Sequence, residues 1–319
     1  MKSPVLSILF LLISVTLLAV PNDFRFRHFS VEDGLSSNSV RAIMQDKYGF
    51  LWIGTEEGLN RYDGIMIKSY SICPQAAGKY ISSLYGTKKN IWIGTDEGIY
   101  IYAYATETFT YFDLTTPNNV RITSIVNHIL QDKDGNLWFS TNGQGLFRYN
   151  LSKNYLEQYE FTSAFGIVAS TMADSDNQIW ALTNQGESGV YKLNKAENKF
   201  EPFGLLYNAG NHHSQALAML EDSEQTLWLG TWECGLQKID KYTRQTTTYL
   251  HPTDGKGVTH IHSLMEYAPH QLLIGSDDGL LLFNTLTEEY KLFTENETVP
   301  NSLSNRFVYP IIKDQEGGI

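Results

Sequence analysis

The chain has 319 residues, a formal charge of −11 at neutral pH, and 42% hydrophobic against 18% charged residues. This is the composition of a globular chain with ample material for a core. Acids spread along the chain, with no basic stripe, argue against a nucleic-acid surface and against docking on anionic lipid. Abundant Tyr, Phe and Trp, with β-branched residues clustered in short runs, suit an all-β fold.

At the N-terminus, Met1-Lys2-Ser3-Pro4 is followed by sixteen mostly apolar residues, Val5 to Val20. The run is short for a spanning helix and has the make-up of a secretory signal peptide over residues 1–21, with an uncleaved N-terminal anchor as the alternative. Next comes Phe24-Arg25-Phe26-Arg27-His28-Phe29, which alternates as a strand does.

From Asn38 to Gly64 three β-type runs succeed one another, at 40–45, 51–55 and 59–62, and a fourth follows at 65–70. Turn signals separate them: Asp46-Lys47-Tyr48-Gly49, Glu56-Glu57-Gly58 and Asp63-Gly64. The unit then recurs. Its second strand carries Trp52, Trp92, Trp138, Trp180 and Trp228, with Leu273 in the sixth copy, at spacings of 40, 46, 42, 48 and 45 residues. The turn after that strand carries Gly58, Gly98, Gly145, Gly189, Gly235 and Gly279. Periods of this length with four strand signals each predict a β-propeller of four-stranded antiparallel blades. The Trp is expected to pack between neighbouring blades, and the Gly to serve a tight turn. Blades two, four and six depart from the Asp-x-x-Gly turn, reading Gly86-Thr87-Lys88-Lys89, Asp174-Ser175-Asp176-Asn177 and Tyr267-Ala268-Pro269-His270.

At the C-terminus, residues 308–319 match 40–51, with Asp314 and Gly317 in the turn, and the chain stops one residue before the next expected Trp. The ring is therefore predicted to be seven-bladed. Residues 22–319 would hold six full repeats and two strands of an incomplete seventh blade, truncated at the C-terminus, whose outer strand the N-terminal segment 24–29 supplies so that no sheet edge is left open. Cys73 and Cys234 fall in different repeats, too far apart for a disulfide.

The units resemble the two-component regulator propeller repeat. Gly34-Leu-Ser-Ser-Asn-Ser-Val40 through Asp63-Gly64 matches its pattern nearly residue by residue, and the resemblance runs from about residue 24 to the end. It implies a periplasmic sensor region of a hybrid two-component histidine kinase of the Bacteroides type, in a full-length protein held in the inner membrane. The rest of its own chain would then hold a second propeller, an immunoglobulin-like domain, a membrane helix and a kinase.

Function is expected on the face where the second-to-third turns and the blade-to-blade connections open. Candidate ligand-binding residues there are Asn142, Gln144, Asn184, Gln185, His212, His213, Trp232, Glu233, Asp277 and Asp278. Amides and carboxylates suit sugar hydroxyls, and Trp232, the one Trp outside the repeat frame, offers a stacking face. The plain alternative is that most of these are solvated turn residues. No catalytic set, metal centre or cofactor motif stands out. His260-x-His262 share a strand face, but a metal needs more ligands, and a structural pair is the simpler reading. The reading is a sensor of a glycan-derived oligosaccharide that performs no chemistry itself, with the rest of its chain and a homodimer mate as further partners. An exported propeller glycosidase or lyase and a protein-binding scaffold are the alternatives.

Overall fold

The computed structural model describes residues 24–73, 79–161, 166–183, 189–205, 215–251, 257–296, 298–299 and 301–319. The leader, at 1–21, lies outside them. Apart from a 3-10 turn at Val31–Asp33, the regular structure among the described residues is strand.

One buried acid organises the start of a blade. In blade one, strands Val40–Gln45, Leu51–Thr55, Gly58–Tyr62 and Ile67–Tyr70 pair antiparallel in sequence order. Asp46 sits in the first turn, where its Oδ1 accepts the backbone N–H groups of Tyr48 (2.9 Å) and Phe50 (3.1 Å). Its Oδ2 accepts the indole N–H of Trp52 at 2.8 Å. The same carboxylate thus closes the turn and fixes the large side chain of the next strand. The bond recurs from Trp138 to Asp132 (2.8 Å), Trp180 to Asp174 (2.9 Å) and Trp228 to Asp222 (2.7 Å). In blades four, five and six, which lack the turn glycine, Asn177, Gln225 and His270 take its left-handed conformation at φ 58°, 62° and 64°.

Six such four-stranded sheets form, and their innermost strands are Val40–Gln45, Ile81–Gly86, Val126–Gln131, Val168–Ala173, Ala216–Glu221 and Ile261–Ala268. Each innermost strand packs beside the next in chain order. The hydrophobic cores lie between the blades, not within them, because each sheet has two apolar faces. Trp52, Trp92, Trp138, Trp180 and Trp228 are all buried, and each clusters with side chains of the next blade. Leu273 replaces Trp in blade six and packs on Phe24, Phe26, Val308 and Ile311.

The turn glycines open the third strand of their blades. At Gly279 (φ 137°) a Cβ would lie 2.3 Å from the Phe293 carbonyl oxygen, so only glycine lets the outermost strand come this close. Cys73 and Cys234 are not joined to one another.

The blade count corrects the sequence reading. The structure has six blades, not seven with the last incomplete: neither 24–29 nor 308–319 forms a strand. Both segments lie between blades six and one. Val308 N–H donates to Ser276 O (2.9 Å), and Gln315 N–H donates to the Gln45 side chain (2.7 Å). Phe26 N–H donates to Asn301 O (3.1 Å), and Arg27 reaches the Tyr62 hydroxyl at 3.1 Å. The physical reason is the ladder. Val308 and Phe26 each make a single backbone bond, and a strand needs a continuous series of them against one partner, so both segments are held by scattered bonds and side-chain packing.

Candidate ligand-binding site

The innermost strands enclose a central cavity of about 600 Å³. It lies in the size range of small-molecule sites. An arc of side chains runs from blade five, over blade six and the 308–312 segment, to blade one, and meets the cavity lining at His262, Tyr309 and Arg41. Trp232 is 38% exposed and stacks on His260, ring centroids 3.8 Å apart and planes 27° from parallel. The backbone fixes this pair, since Trp232 N–H donates to Gln215 O and His260 N–H donates to Trp232 O.

His260 and His262 converge on one carboxylate. His260 Nδ1 lies 2.5 Å from Asp277 Oδ2, and His262 Nε2 lies 2.7 Å from Asp277 Oδ1. Burial alone would raise the Asp277 pKa, but the two imidazoles outweigh it and hold the group below its ordinary value. An ionised carboxylate only accepts, so each of these nitrogens carries the proton. Burial lowers the His262 pKa against the pull of Asp277, which keeps its ring neutral. The His262 ring lies 4.4 Å from that of Tyr309, and the Arg41 guanidinium sits 4.5 Å over Tyr309. Burial pulls the Arg41 pKa down, but hydrogen bonds to Glu56 and Tyr309 more than offset this and raise it. Tyr80, its hydroxyl pKa raised by burial, also lines the cavity.

The structure sorts the sequence candidates. Trp232 and Asp277 stand in the arc, with Glu233 next to Trp232 in its turn. Asn142 lines the cavity. Gln144 is turned inward: its Oε1 accepts from Thr123 N–H and Ser124 N–H at 2.9 and 3.0 Å, and its Nε2 donates to Arg121 O at 2.9 Å, so it holds a connection in place. Asp278 accepts from the Thr259 N–H and hydroxyl at 3.0 and 3.1 Å, which is also a loop-holding role. Asn184, Gln185, His212 and His213 lie outside the described residues. Among the described residues no group of three His, Cys, Asp or Glu side chains has the placement to hold a metal ion. Sequence reading missed Arg41, Tyr80 and Tyr309, which lie in or just before an innermost strand or in the 308–312 segment and carry no turn signal.

Fold and site together define a class: a β-propeller of four-stranded blades around a central cavity. Within that class, the family model for the two component regulator propeller matches residues 34–57 and 120–143, one stretch in blade one and one in blade three. Histidine kinase P4 of Formosa agariphila is 26% identical over 293 residues, covering 86% of this chain and 21% of that protein. The extracellular domain of the hybrid two component system BT3049 from B. thetaiotaomicron superposes with a TM-score of 0.77 at 24% identity, covering 92% of this chain and 40% of that one. That of BT4673 from the same organism gives 0.78 at 23% identity, covering 92% and 38%. The chain thus spans about a fifth of its curated relative and about two fifths of these solved domains.

Proposed function

We propose that this chain is an extracytoplasmic ligand-sensing propeller of a two-component sensor, and that its ligand is a glycan-derived oligosaccharide read at the cavity mouth. In this reading residues 1–21 direct export to the periplasm, and the remainder of a longer chain carries the signal to a kinase. A second copy of the chain is a further partner. The segment binds and does not turn over. Signalling would work by population shift, the ligand favouring one arrangement of the propeller against the remainder of that longer chain.

One observation supports this most: the exposed Trp232 stacked on His260, which shares Asp277 with the cavity-lining His262. A flat apolar ring beside fixed hydrogen-bonding groups suits a sugar, which has a C–H face and a hydroxyl edge. The test is calorimetric titration of the whole chain with a panel of plant and host oligosaccharides. Binding is expected for one series, and Trp232→Ala should weaken it about tenfold, equivalent to about 1.4 kcal/mol. Silence across the panel, or turnover of a bound sugar, would overturn the reading.

A further inference from the structure

One part of the cavity wall is held differently from the rest. The six innermost strands are each paired with the second strand of their own blade. The segment 308–312 also lines the cavity, through Tyr309, Pro310, Ile311 and Ile312. Its single backbone bond to a blade runs from Val308 N–H to Ser276 O at 2.9 Å. Pro310 has no N–H to give, so no ladder can run through it. A strip of wall without ladder bonds belongs to the low-stability end of a fold, from which moving elements are drawn.

Side chains seat this strip instead, and they come from equivalent positions of blades six and one. Every innermost strand breaks register next to its first residue. In blade one the break lies between Val40 and Ala42 and leaves Arg41 unpaired, and in blade six it lies between Ile261 and Ser263 and leaves His262 unpaired. Each is a β-bulge, which re-aims its side chain. Each is braced by the first acid of the turn after its blade's second strand. Arg41 Nε donates to Glu56 at 2.9 Å, and His262 Nε2 donates to Asp277 at 2.7 Å. Tyr309 lies between these two groups, its ring 4.4 Å from that of His262, with the Arg41 guanidinium 4.5 Å over it. The strip is thus clamped from both blades.

The brace on His262 is shared. Asp277 turns its other oxygen to His260 Nδ1 at 2.5 Å, and His260 stacks on the exposed Trp232. Of the six residues that directly precede an innermost strand, His260 alone is left-handed, at φ 50°. A residue other than glycine keeps that conformation where its surroundings over-determine it, as they do at clamps and switches. Three contacts do so here: the stack, the carboxylate, and the bond from His260 N–H to Trp232 O at 3.0 Å. Loss of the stack frees the ring to swing, and the carboxylate bound to it swings too.

We infer that Asp277 couples the Trp232–His260 stack to the 308–312 strip. A ligand that engages Trp232 or competes for His260 alters the hold of Asp277 on His262, and with it the clamp on Tyr309. The strip has two arrangements, clamped between blades six and one or released from them, and the stack biases which is populated. This inference rests on the reading that a ligand meets the chain at Trp232.

Coupling is an energy between sites, so the test is a double-mutant one and needs no ligand. Hydrogen exchange at the Val308 amide is measured in the whole chain, in Trp232→Ala, in Asp277→Asn and in the variant with both changes. Trp232 stands in blade five, with blade six between it and the strip. Trp232→Ala is expected to quicken exchange at Val308 about fivefold and to leave Val126–Gln131, across the ring, as in the parent. Asp277→Asn keeps the size of the side chain but offers one acceptor oxygen to two ring N–H groups. It should quicken exchange at Val308 as well, and the effect of Trp232→Ala should shrink in its background. If Asp277→Asn fails to fold, His260→Phe takes its place, because Phe keeps the stack and loses the carboxylate; the effect of Trp232→Ala should shrink there too. Exchange at Val308 that Trp232→Ala or Asp277→Asn does not quicken overturns the inference. So does an effect of Trp232→Ala as large in the second background as in the parent. Either result leaves the sensor reading to the oligosaccharide titration, and a silent titration beside the expected exchange pattern removes the ligand and keeps the coupling.

Discussion

Trp92 differs from its repeat partners by one missing atom group. Trp52, Trp138, Trp180 and Trp228 each donate to an Asp six residues upstream, but that position in blade two is Gly86, and the buried Trp92 Nε1 has no partner. The burial is otherwise alike, at 3% exposure for Trp92 and 1% for Trp138. Replacing Trp138 with Phe would therefore remove a charge-assisted bond and leave a buried Asp132 oxygen partly unmet, on top of the lost ring volume. Trp92→Phe loses only volume and relieves an unpaired donor. Trp138→Phe is expected to destabilise by about 1–3 kcal/mol more than Trp92→Phe. Thermal melts of the two variants decide it, and equal losses would mean the Asp–Trp bond contributes little.

Between elements, closeness of blades depends on the Gly in the second strand. A Cβ on Gly230 would lie 2.4 Å from Ile261 Cγ2 and 2.9 Å from Ile261 O, and one on Gly275 would lie 2.7 Å from Val308 O. A carbonyl cannot turn aside as a side chain can. Gly230→Ala is expected to push blades five and six apart and cost about 1–3 kcal/mol, the usual range for overpacking. Gly135, with φ +84° and nothing within 4 Å of its would-be Cβ, is the control, since Gly135→Ala costs only left-handed strain of about 1 kcal/mol. A melting temperature of Gly230→Ala no lower than that of Gly135→Ala would refute the close-packing argument. Much at this scale was legible in the sequence, because Trp-x-Gly-Thr strings and Asp-x-x-Gly turns are local signals with local causes. The bulges were not. A bulge is defined by what pairs across the ladder, and nothing in Val40-Arg41-Ala42 marks the middle residue as unpaired. The same holds for the site: His260 and His262 were visible as a pair, but the Asp277 that joins them comes from the turn after the next strand.

For the whole molecule, the matter is how a ring of blades that touch only their neighbours is held shut. The repeat of 40–51 in 308–319 was plain in the sequence, and Asp314 does make the same turn, accepting from Glu316 N–H and Gly318 N–H at 2.9 and 2.6 Å. What sequence could not say is whether that copy finds a second strand, which is a property of the assembled ring. Closure rests on packing instead. Phe24 lies 5.0 Å from the Phe293 ring and 5.7 Å from Tyr267, while Phe29 lies 4.8 Å from Tyr62 of blade one. In a quasi-linear array each interface stabilises mainly its own neighbours, so a weakened junction is felt first beside it. Phe24→Ala with Phe26→Ala removes two half-buried rings at the junction, with an expected loss of about 2–4 kcal/mol, below the sum for two fully buried ones. Hydrogen exchange should then quicken in Tyr290–Phe293 and the other strands of blade six, and least in Val126–Gln131 and Val168–Ala173 on the far side of the ring. Unchanged exchange in blade six would show that the N-terminal segment merely rests on the ring. An equal rise in all six blades would show that the propeller opens as one unit, and neighbour-only coupling would have to be given up.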